Sequence, residues 1–138
     1  MRIISWNCQG ILVTPTVLLL LDIQRRHKPD VFFLFETHLD DEKAEALRRR
    51  LGMDEKIVVP SPDGRRGGLL MVWKKEVRIY SQTTTLTGID VNIHETNGNI
   101  WRLTGIYGEP SWEHKDRTYR YIRDLHTHSR LPWVTIGD

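Results

Sequence analysis

Residues 31–36 read VFFLFE, five consecutive apolar side chains followed at once by a carboxylate. Successive side chains of a strand point to opposite faces of its sheet, so this continuous apolar run predicts a strand that is buried on both faces. Such strands are typical of parallel pairing in α/β proteins. Glu36 ends the buried run, and it needs a partner because an unpaired buried carboxylate is costly.

The remaining sequence predicts an alternation of strands and helices. N-cap, proline and glycine signals together with helical spacing indicate three helices, at 15–28 (after Thr14 and before Pro29), from Asp40 or Asp41 to Leu51, and at 114–129. Apolar runs and turn signals indicate further strands at 2–6, 56–59, 68–73, 77–83, 89–95, 100–106 and 133–136, with a hairpin turn at Asn97-Gly98. No internal repeat or linker is evident, so the 138 residues predict one α/β domain with a mixed sheet.

Polar side chains follow four of these strands at the point where each strand ends. A helical crossover makes the first two strands parallel, so Asn7 and Glu36 should leave the sheet at the same edge. Tyr107 and Asp138 follow two later strands and are candidates for the same rim. An amide, two carboxylates and a phenol would then converge. Hard oxygen ligands of this kind suit Mg²⁺ held together with a substrate phosphate.

Each of these four residues also has a purely structural interpretation. Asn7 is a common turn residue, and Tyr107 is of a type that often packs in a core. Glu36 can form a salt bridge or a helix cap. Asp138 ends the chain, although Gly137 before it permits the close backbone approach found at ligand sites. The strand pattern alone leaves both interpretations open.

Composition excludes several classes of protein. The net charge of +2 makes a bulk electrostatic affinity for nucleic acid weak. The single cysteine, Cys8, cannot form an intrachain disulfide, which fits a reducing compartment. The longest apolar run, 17–21, is far shorter than the roughly 20 residues of a membrane span, and no secretory signal opens the chain. We therefore expect an intracellular protein, nuclear or cytoplasmic, that is neither secreted nor membrane-bound.

Five segments carry a family resemblance: ISWNCQG (4–10), FLFETHLD (33–40), GRRGGLLMVW (64–73), WRLTGIYGEP (101–110) and LPWVTIGD (131–138). In this order they resemble the successive motifs of the endonuclease/exonuclease/phosphatase superfamily, and most of all the apurinic-endonuclease-like domain of plant LINE-type (non-LTR) retrotransposons. No single segment would be specific, but five in order over the whole chain are. The resemblance implies the N-terminal portion of a DNase I-like, four-layer α/β/β/α sandwich.

The resemblance also implies a role for each strand-end residue. Glu36 resembles the family's principal Mg²⁺ ligand, with Mn²⁺ as a substitute, and Asn7 resembles the amide that lies beside the metal and orders that site. Tyr107 matches the tyrosine whose hydroxyl reaches the scissile phosphate. Asp138 matches the aspartate that orients or deprotonates the attacking water. The implied reaction is hydrolysis of a phosphodiester, with DNA as the partner.

In the family, the last motif continues beyond Gly-Asp into an aromatic residue and an asparagine, and a later histidine contacts the phosphate. The resemblance therefore implies that residues 1–138 are a partial domain, truncated within that motif at Asp138. We expect such a chain to be inactive alone. Two hypotheses follow: a Mg²⁺-dependent DNA endonuclease of retroelement origin, or a non-catalytic remnant of its reading frame. Inositol phosphate and phospholipid substrates are variants within the superfamily.

Weaker signals complete the sequence-based predictions. Arg65 and Arg66 are candidates for contact with a nucleic-acid backbone, although a loop-to-strand turn explains the adjacent Gly67-Gly68 equally well. His38, beside Glu36, is interpreted as a surface residue in preference to a metal ligand. The helices 15–28 and 114–129 are expected to cover one face of a single sheet, leaving its other face exposed. An exposed apolar face of that kind, together with unpaired strand edges, predicts self-association.

Overall fold

The computed structural model describes residues 1–11 and 14–138. Its three helices are α1 (Thr14–His27), α2 (Asp41–Arg50) and α3 (Lys115–Thr127), the last preceded by a short 3₁₀ turn at Trp112–His114. Its eight strands are β1 (Ile3–Asn7), β2 (Val31–Phe35), β3 (Glu55–Val59), β4 (Leu69–Trp73), β5 (Arg78–Thr85), β6 (Gly88–His94), β7 (Ile100–Ile106) and β8 (Trp133–Gly137). Every predicted helix and strand is confirmed, with boundaries shifted by at most two residues.

The first sheet has the strand order β1-β2-β4-β3. Strands β1 and β2 are parallel, as the helical crossover predicts, and their register pairs Asn7 with Phe35. Strand β4 lies antiparallel between β2 and β3. Strands β2 and β4 are the centre of this sheet and are buried along their whole length, which explains their unbroken apolar sequences.

The second sheet has the order β5-β6-β7-β8. A hairpin turn at Asn97-Gly98 joins β6 to β7, as predicted, and β7 lies parallel to β8 with Ile106 opposite Gly137. Each sheet thus combines antiparallel strands with one parallel pair formed across a helix. The prediction of a mixed sheet is confirmed twice over, and the α/β class is correct.

The two sheets pack face to face around one apolar core. Val31, Phe33 and Phe35 of β2 meet Ile89 and other alternate residues of β6 and β7 in a continuous buried cluster. A side chain at Gly105 would place its Cβ 1.8 Å from the Phe33 ring, so the glycine gives that ring its space. This packing overturns the prediction of an exposed sheet face, because β5–β8 form a second sheet that covers the first.

Helices cover both outer faces of the sandwich: α1 and α2 cover the first sheet, and α3 covers the second. Leu20 of α1 and Leu47 of α2 pack with Phe32 and Leu34 on the outer face of the first sheet. Helix α3 instead covers the second sheet, where the Leu125 carbonyl accepts a hydrogen bond from Arg102. The prediction that 15–28 and 114–129 share one face of a single sheet is therefore wrong, while the predicted α/β/β/α layering is correct.

A buried ion pair lies beneath α3. Arg102 is 3% exposed and contacts both carboxylate oxygens of Asp90, at 2.8 and 2.9 Å. Thr104 donates its hydroxyl to Asp90 and accepts the indole N–H of Trp133, whose ring stacks on Arg102. The cluster links β6, β7, β8 and α3.

No helix in the described part of the chain is long and apolar enough to cross a membrane.

Candidate active site

Four strand ends bring the predicted site residues together at one rim of the sandwich. Asn7 and Glu36 leave the parallel strands β1 and β2 at the same edge of the first sheet. Tyr107 and Asp138 leave the parallel strands β7 and β8 at the corresponding edge of the second. Hydrogen bonds connect the two edges pairwise, Asn7 with Asp138 and Glu36 with Tyr107. All four predicted residues therefore lie in one place.

The first pair orients a carboxylate. The Asn7 side-chain amide donates from Nδ2 to Oδ2 of Asp138 at 2.5 Å, while its Oδ1 accepts the backbone N–H of Gln9 at 3.0 Å. Asn7 is therefore a turn residue, as its structural interpretation predicts, as well as a site residue. The turn fixes the side-chain amide that is hydrogen-bonded to Asp138. The Asp138 backbone is fixed in turn, because its N–H donates to the Ile106 carbonyl and its carbonyl accepts from Gly108.

The second pair joins the central carboxylate to the phenol. Tyr107 donates its hydroxyl to Oε1 of Glu36, and its ring stacks on Phe35 at the end of the core. Burial raises the pKa of Tyr107 above its usual range, and the hydrogen bond to Glu36 and that residue's charge raise it further. The phenol therefore stays protonated near neutral pH and acts as a hydrogen-bond donor. Tyr107 serves both core packing and the polar site.

Glu36 is held in an unusual backbone conformation. Its φ is +50°, in the left-handed region that non-glycine residues rarely adopt. Hydrogen bonds from the β1 side fix it, since the Cys8 N–H donates to the Phe35 carbonyl and the Gly10 N–H to the Glu36 carbonyl. On the other side, the N–H of Thr37 donates to the carbonyl of Gly68. Residues whose strained backbone is held by hydrogen bonds on both sides are often found at functional sites.

Two glycines make this close packing possible. A Cβ at Gly10 would lie 2.8 Å from the His38 ring, and one at Gly68 would lie 2.6 Å from the Thr37 hydroxyl. Both glycines also have a φ near +90°. Of the Gly67-Gly68 pair, which the sequence leaves open between turn and nucleic-acid contact, Gly68 thus serves the packing around Glu36.

Two adjoining cavities open on either side of Glu36 and Tyr107. The first, of about 420 Å³, is also lined by Asp138 and by three residues that follow β7 or lie on α3: Glu109, Lys115 and Tyr119. The second, of about 580 Å³, is lined on its far side by Arg65, Arg66, His38 and Leu86. The rim is therefore a trough with the Glu36–Tyr107 pair at its middle.

The arginines predicted to touch nucleic acid lie at the edge of this trough. Arg65 and Arg66 are exposed, and both donate their backbone N–H groups to Asp63. The Arg66 side chain also lies 3.5 Å from Asp63. Their placement beside the site fits the prediction, and contact with nucleic acid remains a prediction.

The donor set favours a hard cation. Burial raises the pKa of Tyr107 most, and the nearby negative charges of Glu36, Asp138 and Glu109 raise it further, so three carboxylates lie around the phenol. Among the described residues, no group of three or more His, Cys, Asp and Glu side chains is arranged to hold a metal. Mg²⁺ fits, because it is commonly held by one or two carboxylates, waters and a substrate phosphate.

Cys8 adjoins the site without taking part in it. Its side chain is 5% exposed, and burial, followed by the charge of Glu36, raises the pKa of its thiol to about 12. A protonated thiol is neither a strong nucleophile nor a metal ligand. Cys8 is a small buried side chain that packs in the apolar cluster of the first sheet's outer face.

Sequence reasoning missed the wall formed by the β7–α3 connection. Lys115 and Tyr119 belong to the predicted helix 114–129 and are not among the predicted site residues, yet both line the cavity that contains Glu36 and Asp138. The available signal was the position of 108–114, which directly follows Tyr107. A segment that links two elements at a functional rim must pass beside it.

Comparisons with known proteins agree with the fold. Residues 4–138 match the Endonuclease/Exonuclease/phosphatase family. None of the curated proteins compared with the chain matches it. Among solved structures, the human Nocturnin catalytic domain with bound sulfate superposes with a TM-score of 0.74 at 15% identity, covering 100% of this chain and 63% of that one.

Two further structures have the same fold. A Bacteroides thetaiotaomicron mannosyl-6-phosphatase has a TM-score of 0.75 at 9% identity, covering 100% of this chain and 64% of that one. D. rerio TDP2 complexed with a single-strand DNA product has a TM-score of 0.73 at 18% identity, covering 100% and 60%. The chain thus spans less than two thirds of each of these structures.

The family match covers nearly the whole chain, and the fold agrees with it. Members of this family are hydrolytic enzymes, nucleases and phosphatases among them, that generally use divalent metal ions such as Mg²⁺. The chain belongs to the endonuclease/exonuclease/phosphatase family.

Proposed function

We propose that this chain carries the metal-binding and water-activating residues of a Mg²⁺-dependent phosphodiester hydrolase that acts on DNA. The observation that carries the proposal is the pairing of two carboxylates with two fixed partners at one rim, Asp138 with Asn7 and Glu36 with Tyr107. An anionic phosphodiester requires both charge neutralisation and an activated water. The two pairs are suited to these two tasks.

Glu36 and Asn7 are the residues that would hold the metal. Bound there, Mg²⁺ would neutralise charge on the phosphate and polarise its P–O bonds. Glu36 offers one carboxylate oxygen that is already hydrogen-bonded by Tyr107 and a second for the cation. The left-handed backbone at Glu36 aims that carboxylate out of the sheet edge, toward the trough rather than into the core.

Asp138 is the proposed base for water. Asn7 holds Oδ2 of Asp138, which leaves Oδ1 to accept a proton; within the described residues Oδ1 has no other hydrogen-bond partner. Tyr107 remains protonated and can donate its hydroxyl to a phosphate oxygen in place of Glu36. In-line attack on phosphorus then requires water on the Asp138 side of the trough.

DNA is proposed as the substrate on two grounds. The five motifs resemble most the endonuclease domain of LINE-type retrotransposons, and this resemblance is the basis for proposing a retroelement endonuclease. Arg65 and Arg66 flank the trough and, like Lys115 in the first cavity, supply positive charge beside the carboxylates. A phosphate backbone lying along the trough would meet those arginines on one side of Glu36.

A plasmid-nicking assay tests the proposal. Because the chain spans 60–64% of the length of the solved structures compared above, it is assayed alone and fused to the C-terminal portion of a family domain. We expect Mg²⁺-dependent nicking by the fusion and little by the chain alone. Glu36→Gln and Asp138→Ala should each reduce nicking by about 100-fold or more, in the range of lost metal and base catalysis.

Glu95→Gln provides the matched control, because Glu95 follows β6 at the opposite end of the sandwich and should leave nicking unchanged. Nicking that persists in the Glu36→Gln, Asp138→Ala double variant would place the active site elsewhere. Hydrolysis of phosphate monoesters without nicking would assign the same residues to a phosphatase.

A further inference from the structure

Three residues form an exposed flank beside the first cavity: Trp112, Lys115 and Tyr119, named here the aromatic flank. Trp112 is 81% exposed and Tyr119 is 60% exposed. The Lys115 ammonium lies over the Trp112 ring, 4.5 Å from its centroid. Two large aromatic rings in water next to a cation do not contribute to the core, so packing does not explain them.

The aromatic flank adjoins the reacting groups. Lys115 and Tyr119 line the cavity of about 420 Å³ whose other wall includes Glu36, Tyr107 and Asp138. Lys115 connects that cavity to Trp112 through its contact with the indole ring. A ligand whose phosphate lies at Glu36 would therefore have its next chemical group against the aromatic flank.

The flank is held in place before any ligand binds. The Glu109 N–H donates to the Thr118 hydroxyl at 2.8 Å, which ties the β7–α3 connection to the first turns of α3. The Ser111 carbonyl accepts the His114 N–H at 3.1 Å, which closes the 3₁₀ turn that carries Trp112. These bonds fix the backbone that carries the flank, so less conformational freedom of the chain is lost on binding, which favours affinity.

The chemistry of the flank fits a nucleobase. Lys115 covers one face of the indole, and with 81% exposure of Trp112 the opposite face is open to a planar partner. A base stacks on such a ring through its π-face, and the neighbouring ammonium suits the phosphate of the same nucleotide. In a duplex both faces of an internal base are already stacked, so only an unpaired or terminal base can use the ring.

We propose that the aromatic flank binds an unpaired nucleobase next to the scissile phosphate. The proposal rests on the proposed function, and it narrows the substrate from DNA in general to DNA that is single-stranded, frayed or flipped at the cleavage site. Trp112 is the stacking residue, and Lys115 neutralises the adjoining phosphate. Base identity is not read, because every base presents a π-face.

Binding without cleavage tests this inference. The whole chain is titrated, in EDTA, into three fluorescently end-labelled DNAs of equal length: oligothymidylate, a sugar–phosphate strand with abasic residues, and a blunt duplex. Fluorescence anisotropy gives the affinities. We expect oligothymidylate to bind at least about five-fold more tightly than the abasic strand or the duplex, in line with the known strength of base–aromatic stacking.

Trp112→Ala should remove this preference by weakening oligothymidylate binding about five-fold or more while leaving abasic-strand binding unchanged. Trp112→Phe should retain much of the preference. Tyr80→Ala is the control, since Tyr80 is 50% exposed on β5, several residues from the β5 end that faces the site, and should change nothing. Trp112 is exposed, so its replacement leaves the core intact, which unchanged thermal unfolding would verify.

Two outcomes would overturn the inference, and each has a different consequence for the proposed function. Equal affinity for oligothymidylate and the abasic strand, with nicking by the fusion intact, would reject the stacking role alone. An unaltered preference in Trp112→Ala would reject it in the same way. Loss of nicking in Glu36→Gln is independent of both results, so a failure of the flank and a failure of the catalytic assignment can be told apart.

Discussion

Glu36 retains its left-handed backbone because the chain on either side of it is fixed. A non-glycine residue in this region costs on the order of 1–3 kcal/mol. Backbone hydrogen bonds from Gly10 and to Gly68 hold the segment on both sides, and the Cβ-free surfaces of the two glycines let the strands approach. The carboxylate is thereby directed into the trough. Its position is a property of three backbone segments rather than of Glu36 itself.

At the residue scale, the sequence indicates the two carboxylates at the strand ends but not the residues that hold them in position. A polar residue directly after a buried strand is visible in the sequence at Glu36 and Asp138. The need for glycine at position 68 is not, because it arises from contact with Thr37, which is 31 positions away along the chain. Likewise the Asn7–Asp138 bond spans 131 positions, and no local pattern predicts it.

Gly68→Ala tests this support. Its Cβ would lie 2.6 Å from the Thr37 hydroxyl and 3.1 Å from the His38 backbone nitrogen, at a φ of +89°. We expect the substitution to lower the free energy of unfolding by about 2–4 kcal/mol, combining left-handed strain with overpacking. Urea unfolding measures the loss.

Gly98→Ala is the matched control, because Gly98 has the same φ of +89° and nothing within 4 Å of its Cβ position. It should show only the strain, about 1–2 kcal/mol. Equal losses in the two variants would mean that the contact with Thr37 is not restrictive and that the support of Glu36 lies elsewhere.

At the scale of elements, local signals predicted the strands better than they predicted the sheets. The hairpin between β6 and β7 is announced by Asn97-Gly98, and β2 and β4 by their apolar runs. Which strands share a sheet depends on pairing at long range. Strand β5 is exposed along most of its length and carries little apolar signal, so its membership of a second sheet could not be deduced from its sequence.

The second sheet is also unusual in burying charge. Beneath α3, Arg102 and Asp90 are 3% and 14% exposed, and their bonds fix the register of β6 against β7. The same arginine reaches the Leu125 carbonyl and so fixes α3 to the sheet. Because Tyr107 and Asp138 directly follow β7 and β8, this cluster also helps to determine where these two site residues lie.

Arg102→Met should therefore destabilise the fold strongly. It leaves the Asp90 carboxylate without its cation in a nearly buried position, and breaking a buried pair typically costs about 3–5 kcal/mol. Thermal or denaturant unfolding measures the change, and Asp90→Asn added to Arg102→Met should recover part of it.

The exposed pair Arg120–Asp116 provides the comparison, with side chains 75% and 58% exposed. Arg120→Met should change stability by no more than about 1 kcal/mol. If Arg102→Met were equally mild, the Asp90–Arg102 pair would not be what secures α3 and the β6–β7 register.

For the whole molecule, the family resemblance predicted the layers correctly, and reasoning from single elements did not. Reasoning from single elements assigned two helices to one face of a single sheet. The other face was left uncovered, which led to the prediction of self-association. In the structure that face is the inside of the sandwich, where Phe33 and Leu103 belong to one buried cluster. The exposed face of the first sheet, one of the two bases of that prediction, is therefore absent from the described part of the chain. The other basis, strand edges such as β8, is present, and self-association stays a prediction.

The sandwich also explains how distant residues form one site. The parallel pairs β1–β2 and β7–β8 belong to different sheets, and the stacking of the sheets brings their ends to a common rim. Parallel pairing could be predicted from the helical crossovers. The stacking could not, because it depends on complementary faces such as Gly105 against Phe33. The trough, its arginine side and its aromatic flank all follow from that stacking.

Manganese titration of the isotope-labelled chain, followed by amide line broadening, tests the central claim most directly. Paramagnetic Mn²⁺ replaces Mg²⁺ at oxygen sites, and it broadens only nearby signals, whether or not the chain is active. We predict broadening centred on Asn7, Glu36, Tyr107 and Asp138 that excess Mg²⁺ reverses. Glu36→Gln should abolish this broadening, and Glu55→Gln at the far end of β3 should leave it intact. Broadening that persists at the same amides in Glu36→Gln, or that centres on another part of the chain, would contradict the assignment of this rim as the metal site.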